Sequence, residues 1–198
     1  MKLIGLTGGI ASGKSTVAAI LERLGAAIIN ADELSREVVQ PGKDAWREIV
    51  NTFGPEILQQ DKTLDRRKLR TIVFDNPEAR RKLEAIIHPP VRSLAEDRIR
   101  ELASAGRSVI VYEVPLLFEV QIHLWLRPVI LVACDATTQK KRLSERDQLT
   151  ELEAQQHIDA QMSLDEKRKL ADYVIENNGG LDELEEQVRS VLEKIKAT

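Results

Sequence analysis

A single cysteine, Cys134, is all the thiol chemistry this 198-residue chain has, so no disulfide can form within it and the stapled secreted scaffolds are excluded. One thiol fits a reducing compartment. Its place at the end of the run Val-Ile-Leu-Val-Ala-Cys predicts an inert buried side chain rather than a nucleophile. No apolar run approaches the length of a membrane span, and no membrane role is expected. The first apolar strand begins within three residues of Met1, which leaves no room for a secretory leader and predicts a cytoplasmic protein. Neither sign of charge dominates: 29 basic residues face 32 acidic ones, for a net charge of −3. That balance gives no nucleic-acid footprint. Repeats, low-complexity segments and an Asn-Lys-x-Asp guanine-reading element are all missing. Hydrophobic residues, at 42%, suffice for the core of one domain with room for a small insertion.

What is present centres on Gly8-Gly9-Ile10-Ala11-Ser12-Gly13-Lys14-Ser15, the pattern G-x-x-x-x-G-K-S. The apolar run Leu3 to Thr7 precedes it as a strand. Val17, Ile20, Leu21 and Leu24 follow at helical spacing, with Gly25 as a stop. Strand, loop and helix are the context the motif needs. Its glycines let successive backbone N–H groups turn toward an anion, and the helix N-terminus adds partial positive charge. Lys14 can then reach the β- and γ-phosphates of a nucleoside triphosphate, and the Ser15 hydroxyl can ligate Mg²⁺. A nucleoside triphosphate and Mg²⁺ are therefore the expected ligands.

Strand-like runs recur at Ala26 to Asn30, Ser108 to Glu113, Val129 to Cys134 and Ala171 to Ile175, with helical patterns between them. This predicts an α/β fold: a doubly wound, mainly five-stranded parallel sheet flanked by helices. Ligands of such sheets bind at the carboxyl ends of the strands. Asp32 follows one such end. It reads equally as an N-cap of the next helix and as a carboxylate that orients or deprotonates an attacking hydroxyl. Arg36, one turn on, can reach an anionic substrate group. Glu113 ends the third strand, where a carboxylate helps hold Mg²⁺ or its waters. Leu116, Leu117 and Phe118 then predict an apolar wall at the mouth of the crevice.

Residues 41–106 carry helical patterns only. Trp46, Ile49, Val50 and Phe53 make one face, and Leu69, Ile72, Val73 and Phe74 another, with the aromatics expected in the core. Asn76-Pro77 opens a further helix. His88-Pro89-Pro90 is expected to interrupt it, with Pro90 opening the next helix and Arg92 one turn after His88, so that both face one ligand. Asp135 caps the helix of Arg142 and Arg146, which leads into a charged hairpin ending at Ser163. A basic flap beside a nucleotide site can act as a lid that brings arginines onto the transferring phosphoryl group.

Taken together the motifs resemble the dephospho-coenzyme A kinase family over nearly the whole chain. The resemblance rests on Leu6 to Thr16, on Ala31-Asp32 with Arg36, and on His88-Pro89 with Val91 and Arg92. It rests equally on Pro115-Leu116-Leu117-Phe118-Glu119, on Gln161-Met162, and on Asp172 to Ile175 with Asn177 and Gly179. It implies transfer of the ATP γ-phosphate to the 3′-hydroxyl of dephospho-coenzyme A by a protein expected to be monomeric. It divides the chain into a core (1–40, 107–138, 164–198), a helical substrate-binding region (41–106) and a lid (139–163). By the same resemblance Lys14, Asp32 and Arg142 are catalytic, with Asp32 the base. Gly8, Gly9, Ala11, Ser12, Gly13, Lys14, Ser15, Thr16, Arg142, Arg146 and Asn177 bind the nucleotide, Asn177 near its adenine. Asp32, Arg36, His88, Arg92, Leu116, Leu117 and Phe118 meet the acceptor, and Ser15 and Glu113 meet the metal. The chain departs from the family at Ala11, often Gly, which should be tolerated if φ stays negative. Asn30 and Glu113 stand where Asp is common, and His157 stands where Arg is usual, so no phosphate role is given to it. Another small-molecule kinase, or a nucleotide-dependent switch, are the competing readings.

Overall fold

A computed structural model describes residues 1–74 and 76–197. The strands are β1 (Lys2–Gly8), β2 (Ala27–Asn30), β3 (Val109–Glu113), β4 (Val129–Ala133) and β5 (Tyr173–Glu176). The helices are α1 (Lys14–Arg23), α2 (Ala31–Val38), α3 (Asp44–Phe53), α4 (Arg66–Phe74), α5 (Pro77–Ser104), α6 (Ala136–Asp147), α7 (Glu151–Asp159), α8 (Leu164–Leu170) and α9 (Leu181–Ala197). The chain divides into two compact units, one of Met1–Ile29 with the chain from Leu102 onward, the other of Asn30–Glu101.

The first unit holds the five-stranded parallel sheet, ordered β2-β3-β1-β4-β5. β1 pairs in parallel with β3 and β4, and β4 with β5. Every residue of β3 and β4 is buried, which is why both read as unbroken apolar runs rather than alternating ones. On one face Val17, Leu21, Leu184, Val188 and Leu192, from α1 and α9, pack on Ile4, Leu6, Val111 and Ile130. The connection after β1 leads toward the β2 edge and the one after β4 toward the β5 edge. Strand order therefore reverses between β1 and β4, and a crevice opens at their carboxyl ends.

The second unit is helical, its core built on Val38, Val39, Ile49, Ile57, Leu64, Leu69 and Ile86. α2, expected in the sheet core, belongs here because Val38 joins that cluster. The expected break at Pro89-Pro90 does not occur: α5 runs through both prolines. Leu83, Ile86, Ile87, Val91 and Leu94 keep one apolar stripe against the core on both sides of them. Ile86 is buried and the other four are partly so, and burial of this stripe, worth up to about 1.5–3 kcal/mol per side chain when complete, acts against the roughly 3 kcal/mol each interior proline costs. The start of α5 is as expected, with Asn76 Oδ1 accepting from the N–H groups of Glu78 and Ala79. Phe74 is not core: it is 64% exposed while Leu69 is buried. At about 100° per residue it falls roughly 140° around α4 from Leu69.

Candidate functional site

Thr7, fully buried at the end of β1, donates from Oγ1 to Pro115 O at 3.0 Å, and Val114 N donates to Leu6 O at 2.9 Å. The ends of β1 and β3 are thereby locked side by side. One carries the phosphate-loop sequence and the other Glu113. Between them lies an ion pair, Lys14 Nζ with a Glu113 carboxylate oxygen, the two side chains 14% and 4% exposed. Lys14 thus lies beside the carboxyl ends of β1 and β3, with Glu113 as its partner there.

The loop turns tightly, with Ser12 N donating to Gly9 O at 3.1 Å. Its third residue, Ala11, has φ 57°, the left-handed region in which glycine is favoured. The condition that φ stay negative at Ala11 is therefore not met, and the loop holds a non-glycine residue in a conformation costing about 1–2 kcal/mol. Gly13, at φ 94°, is the N-cap of α1. A Cβ there would stand 2.0 Å from Asn177 Nδ2. Beyond Gly13, among the described residues, the amides of Lys14 and Ser15 have no backbone acceptor, while those of Thr16 and Val17 return to Gly13 O. Free amides, a helix N-terminus and an ammonium group are the chemistry that can seat a polyphosphate. The Ser15 and Thr16 side chains are exposed at the same turn. The Ser12 hydroxyl is buried and, among the described residues, has no hydrogen-bond partner.

Asn177, expected near adenine, braces the loop. It is 8% exposed, and its Nδ2 donates to Ser12 O at 2.9 Å. Its carbonyl accepts from Arg142 Nη1 at 3.0 Å, which joins α6 to the loop through two hydrogen bonds. α6 starts as expected, with Asp135 Oδ1 accepting from Thr138 N at 2.7 Å. The Thr138 amide, and then its hydroxyl, hold that carboxyl below the usual range. Arg146 is turned to Asp147, with two hydrogen bonds of 2.8 Å. α7 opens with a capping box from Thr150 and Glu153.

The apolar wall does not form as expected. Leu117 is fully buried and Phe118 only 2% exposed, both in the core. Leu117 Cδ1 lies 3.0 Å from where a Cβ on Gly5 would stand, and Phe118 packs edge-to-face on His123 at 5.3 Å. Leu117 packs beside β1 at Gly5, Phe118 is buried against His123, and Leu116 alone of the three, 41% exposed, reaches the surface. Cys134 is buried as expected, and burial pushes its thiol pKa up.

Within the helical unit, Asn30 rather than Asp32 caps α2. Asn30 Oδ1 accepts from Asp32 N at 2.9 Å and Glu33 N at 3.2 Å. Asp32 is the second residue of the helix, exposed, its carboxylate free of capping duty. Arg36 is exposed on the same helix. His88 and Arg92 share one face of α5 at a four-residue spacing, both exposed, and Arg92 Nε bonds Glu96 at 3.0 Å. This unit also holds an apolar cavity of about 270 Å³ lined by Val39, Ile49, Leu69, Val73, Leu83 and Ile87, among others.

Composition and spacing left two residues without a role. Gln139 is 4% exposed and donates from Nε2 to Ile10 O at 2.8 Å. Gln161 Oε1 accepts from Ile10 N at 3.0 Å. The only sequence signal for either was Gln161-Met162 as one element of the family resemblance.

Comparison with known proteins bears on this geometry. The family model for dephospho-CoA kinase matches residues 2–183. The chain is similar to a dephospho-CoA kinase of Geobacillus kaustophilus, 49% identical over 191 residues that cover 96% of this chain and 95% of the relative. Among solved structures it is similar to a Thermus thermophilus protein, with TM-score 0.82 and 36% identity over 98% of this chain and 97% of the other. It is likewise similar to the dephospho-CoA kinase of Campylobacter jejuni, with TM-score 0.74 and 30% identity over 98% of both chains.

Proposed function

The chain belongs to the dephospho-CoA kinase family, and from that premise we propose how its residues move a phosphoryl group onto the acceptor. The reaction is phosphorylation of the 3′-hydroxyl of dephospho-CoA by ATP, the last step of coenzyme A synthesis. The observation that carries the assignment of roles is the pairing of open amides at Lys14 and Ser15 with an ammonium group held over them by Glu113. Lys14 exchanges Glu113 for the β- and γ-phosphates and stabilises charge as it moves to the leaving group.

The residues present fit Mg²⁺. Ser15 offers an exposed hydroxyl at the start of α1, and Glu113 a carboxylate at the end of β3. Among the described residues no three His, Cys, Asp or Glu side chains gather at one point. A bound Mg²⁺ would therefore draw its other ligands from phosphate and water, which is its usual habit at nucleotides. When bound it neutralises phosphate charge.

Asp32 is the base that takes the proton of the attacking hydroxyl, a reading supported by its exposed carboxylate and by the transfer of capping to Asn30. Arg36, His88 and Arg92 meet the anionic groups of the acceptor. The apolar cavity beside Val73 and Leu83 suits the pantetheine arm better than Leu117 and Phe118 do, since those two are already packed. Arg142 and Arg146 come onto the nucleotide with the segment 139–163 as a lid. A monomer in the cytoplasm completes the proposal, and sedimentation and fractionation test it. The central test supplies Mg-ATP with dephospho-CoA or with a panel of nucleosides and nucleotides, and reads products by mass. Coenzyme A as the one product is expected. Phosphorylation of a nucleoside in its place would overturn the acceptor assignment.

A further inference from the structure

Three side-chain amides converge on the short stretch that contains the strained residue of the loop. Gln161 takes the N–H of Ile10 at 3.0 Å and Gln139 gives to its C=O at 2.8 Å, so the two peptide planes meeting at the Ile10 Cα are held from both sides. Two residues on, Asn177 gives to Ser12 O at 2.9 Å. Ala11, at φ 57°, lies between these anchor points. Gly9 leaves the room for this arrangement, because a Cβ there would stand 2.6 Å from Gln139 Nε2. The two glutamines are far from Ile10 in sequence, by 129 and 151 residues, and are the two end regions of the segment 139–163. The Gln161 end is itself fixed, since Met162 N donates to Glu119 Oε1 at 3.2 Å. Glu119 in turn pairs at 2.8 Å with Lys167, which is fully buried.

We propose that Gln139 and Gln161 are positioning residues for phosphoryl transfer: they clamp Ile10 and so keep Ala11 left-handed and the loop amides aimed at the nucleotide. An alanine freed from the clamp relaxes toward negative φ, which turns the following amides away. The same clamp ties the loop to both ends of the segment 139–163. Nucleotide that orders the loop therefore orders that segment, and the coupling runs equally in the other direction. This inference rests on the loop being the ATP site.

The test uses Gln161→Met and Gln139→Met, which keep length and volume but remove the hydrogen bonds, each with and without Ala11→Gly. Each single Met variant is expected to lower kcat/KM for ATP about five- to tenfold, as loss of one such bond allows. Tm should change by no more than about 2–4 °C. In the Ala11→Gly background the Gln161→Met loss should shrink below about twofold, since glycine holds positive φ without help. A loss of the same size in both backgrounds, or no loss in either, overturns the clamp. Lys14→Ala run alongside separates the two ideas. If it leaves transfer intact, the loop is not the ATP site; if it abolishes transfer while Gln161→Met does nothing, only the clamp is wrong.

Discussion

The proposed nucleotide side and the proposed acceptor side of this enzyme are built in opposite ways. In the sheet unit the functional groups are cross-braced: Lys14 is held by Glu113, the loop by Gln139, Gln161 and Asn177, and the β1 and β3 ends by Thr7. In the helical unit Asp32, Arg36, His88 and Arg92 stand exposed on helix surfaces, and Arg92 pairs within one turn with Glu96. Phosphates are alike in every nucleotide, so a seat for them can be fixed beforehand by backbone. Exposed long side chains instead retain rotamer freedom that an acceptor must remove on binding. The first region is thus expected to answer mutation through turnover, the second through acceptor recognition, with Asp32 as the exception.

Lys14→Ala probes the braced side hardest. It should cost at least about a thousandfold in kcat, as loss of a preorganised charge at a phosphoryl group does, with the fold retained. Near-normal turnover would remove the basis for calling that side preorganised. Asp32→Asn comes next, with an expected loss of turnover of about a hundredfold or more. Its Tm should hardly move, because Asn30 provides the α2 cap. A rate within threefold of the parent would return Asp32 to the loose, recognition-only group. Arg142→Ala should lower kcat about tenfold or more with little change in KM for ATP, the mark of a contact made in the transition state. A raised KM alone would mean that Arg142 belongs to ground-state binding.

Smaller effects concern stability. Ala11→Gly should raise stability by about 1 kcal/mol, the left-handed penalty less the entropy glycine adds to the unfolded chain. Unfolding by denaturant would read this, and a loss of stability would mean that the clamp already balances the strain in full. Asn30→Ala should cost about 1 kcal/mol, while Asn30→Asp should be close to neutral. An equal cost in both would show that the Asn30 cap matters little.

Much of the braced side was legible locally. Gly8 to Ser15 named its own structure, because glycine placement, lysine and a helix start are read within one stretch. The bracing was not. Gln139, Gln161 and Asn177 reach the loop across 129 to 165 residues of sequence, and an isolated glutamine or asparagine carries no periodic signal. Leu117 and Phe118 misled because a loop was assumed to be exposed, whereas this one tucks in beside β1. The prolines of α5 misled for the opposite reason: a local rule was outweighed by an apolar stripe continuing to Leu94. Asn30 could have been recognised, since it stands three residues before Glu33 at the start of a helical pattern.

The pair of Lys14 and Glu113 gives the loop a ligand of its own. At the proposed ATP site an incoming polyphosphate meets a cation already claimed by a covalently attached rival, and the affinity such a loop displays is what remains after that rival is displaced. A tethered rival competes at an effective concentration of about millimolar or higher and never diffuses away. It is therefore at hand again the moment a spent diphosphate loosens. The same carboxylate that delays occupancy then hastens vacancy, and the site resets from within, without waiting for an ion from solution.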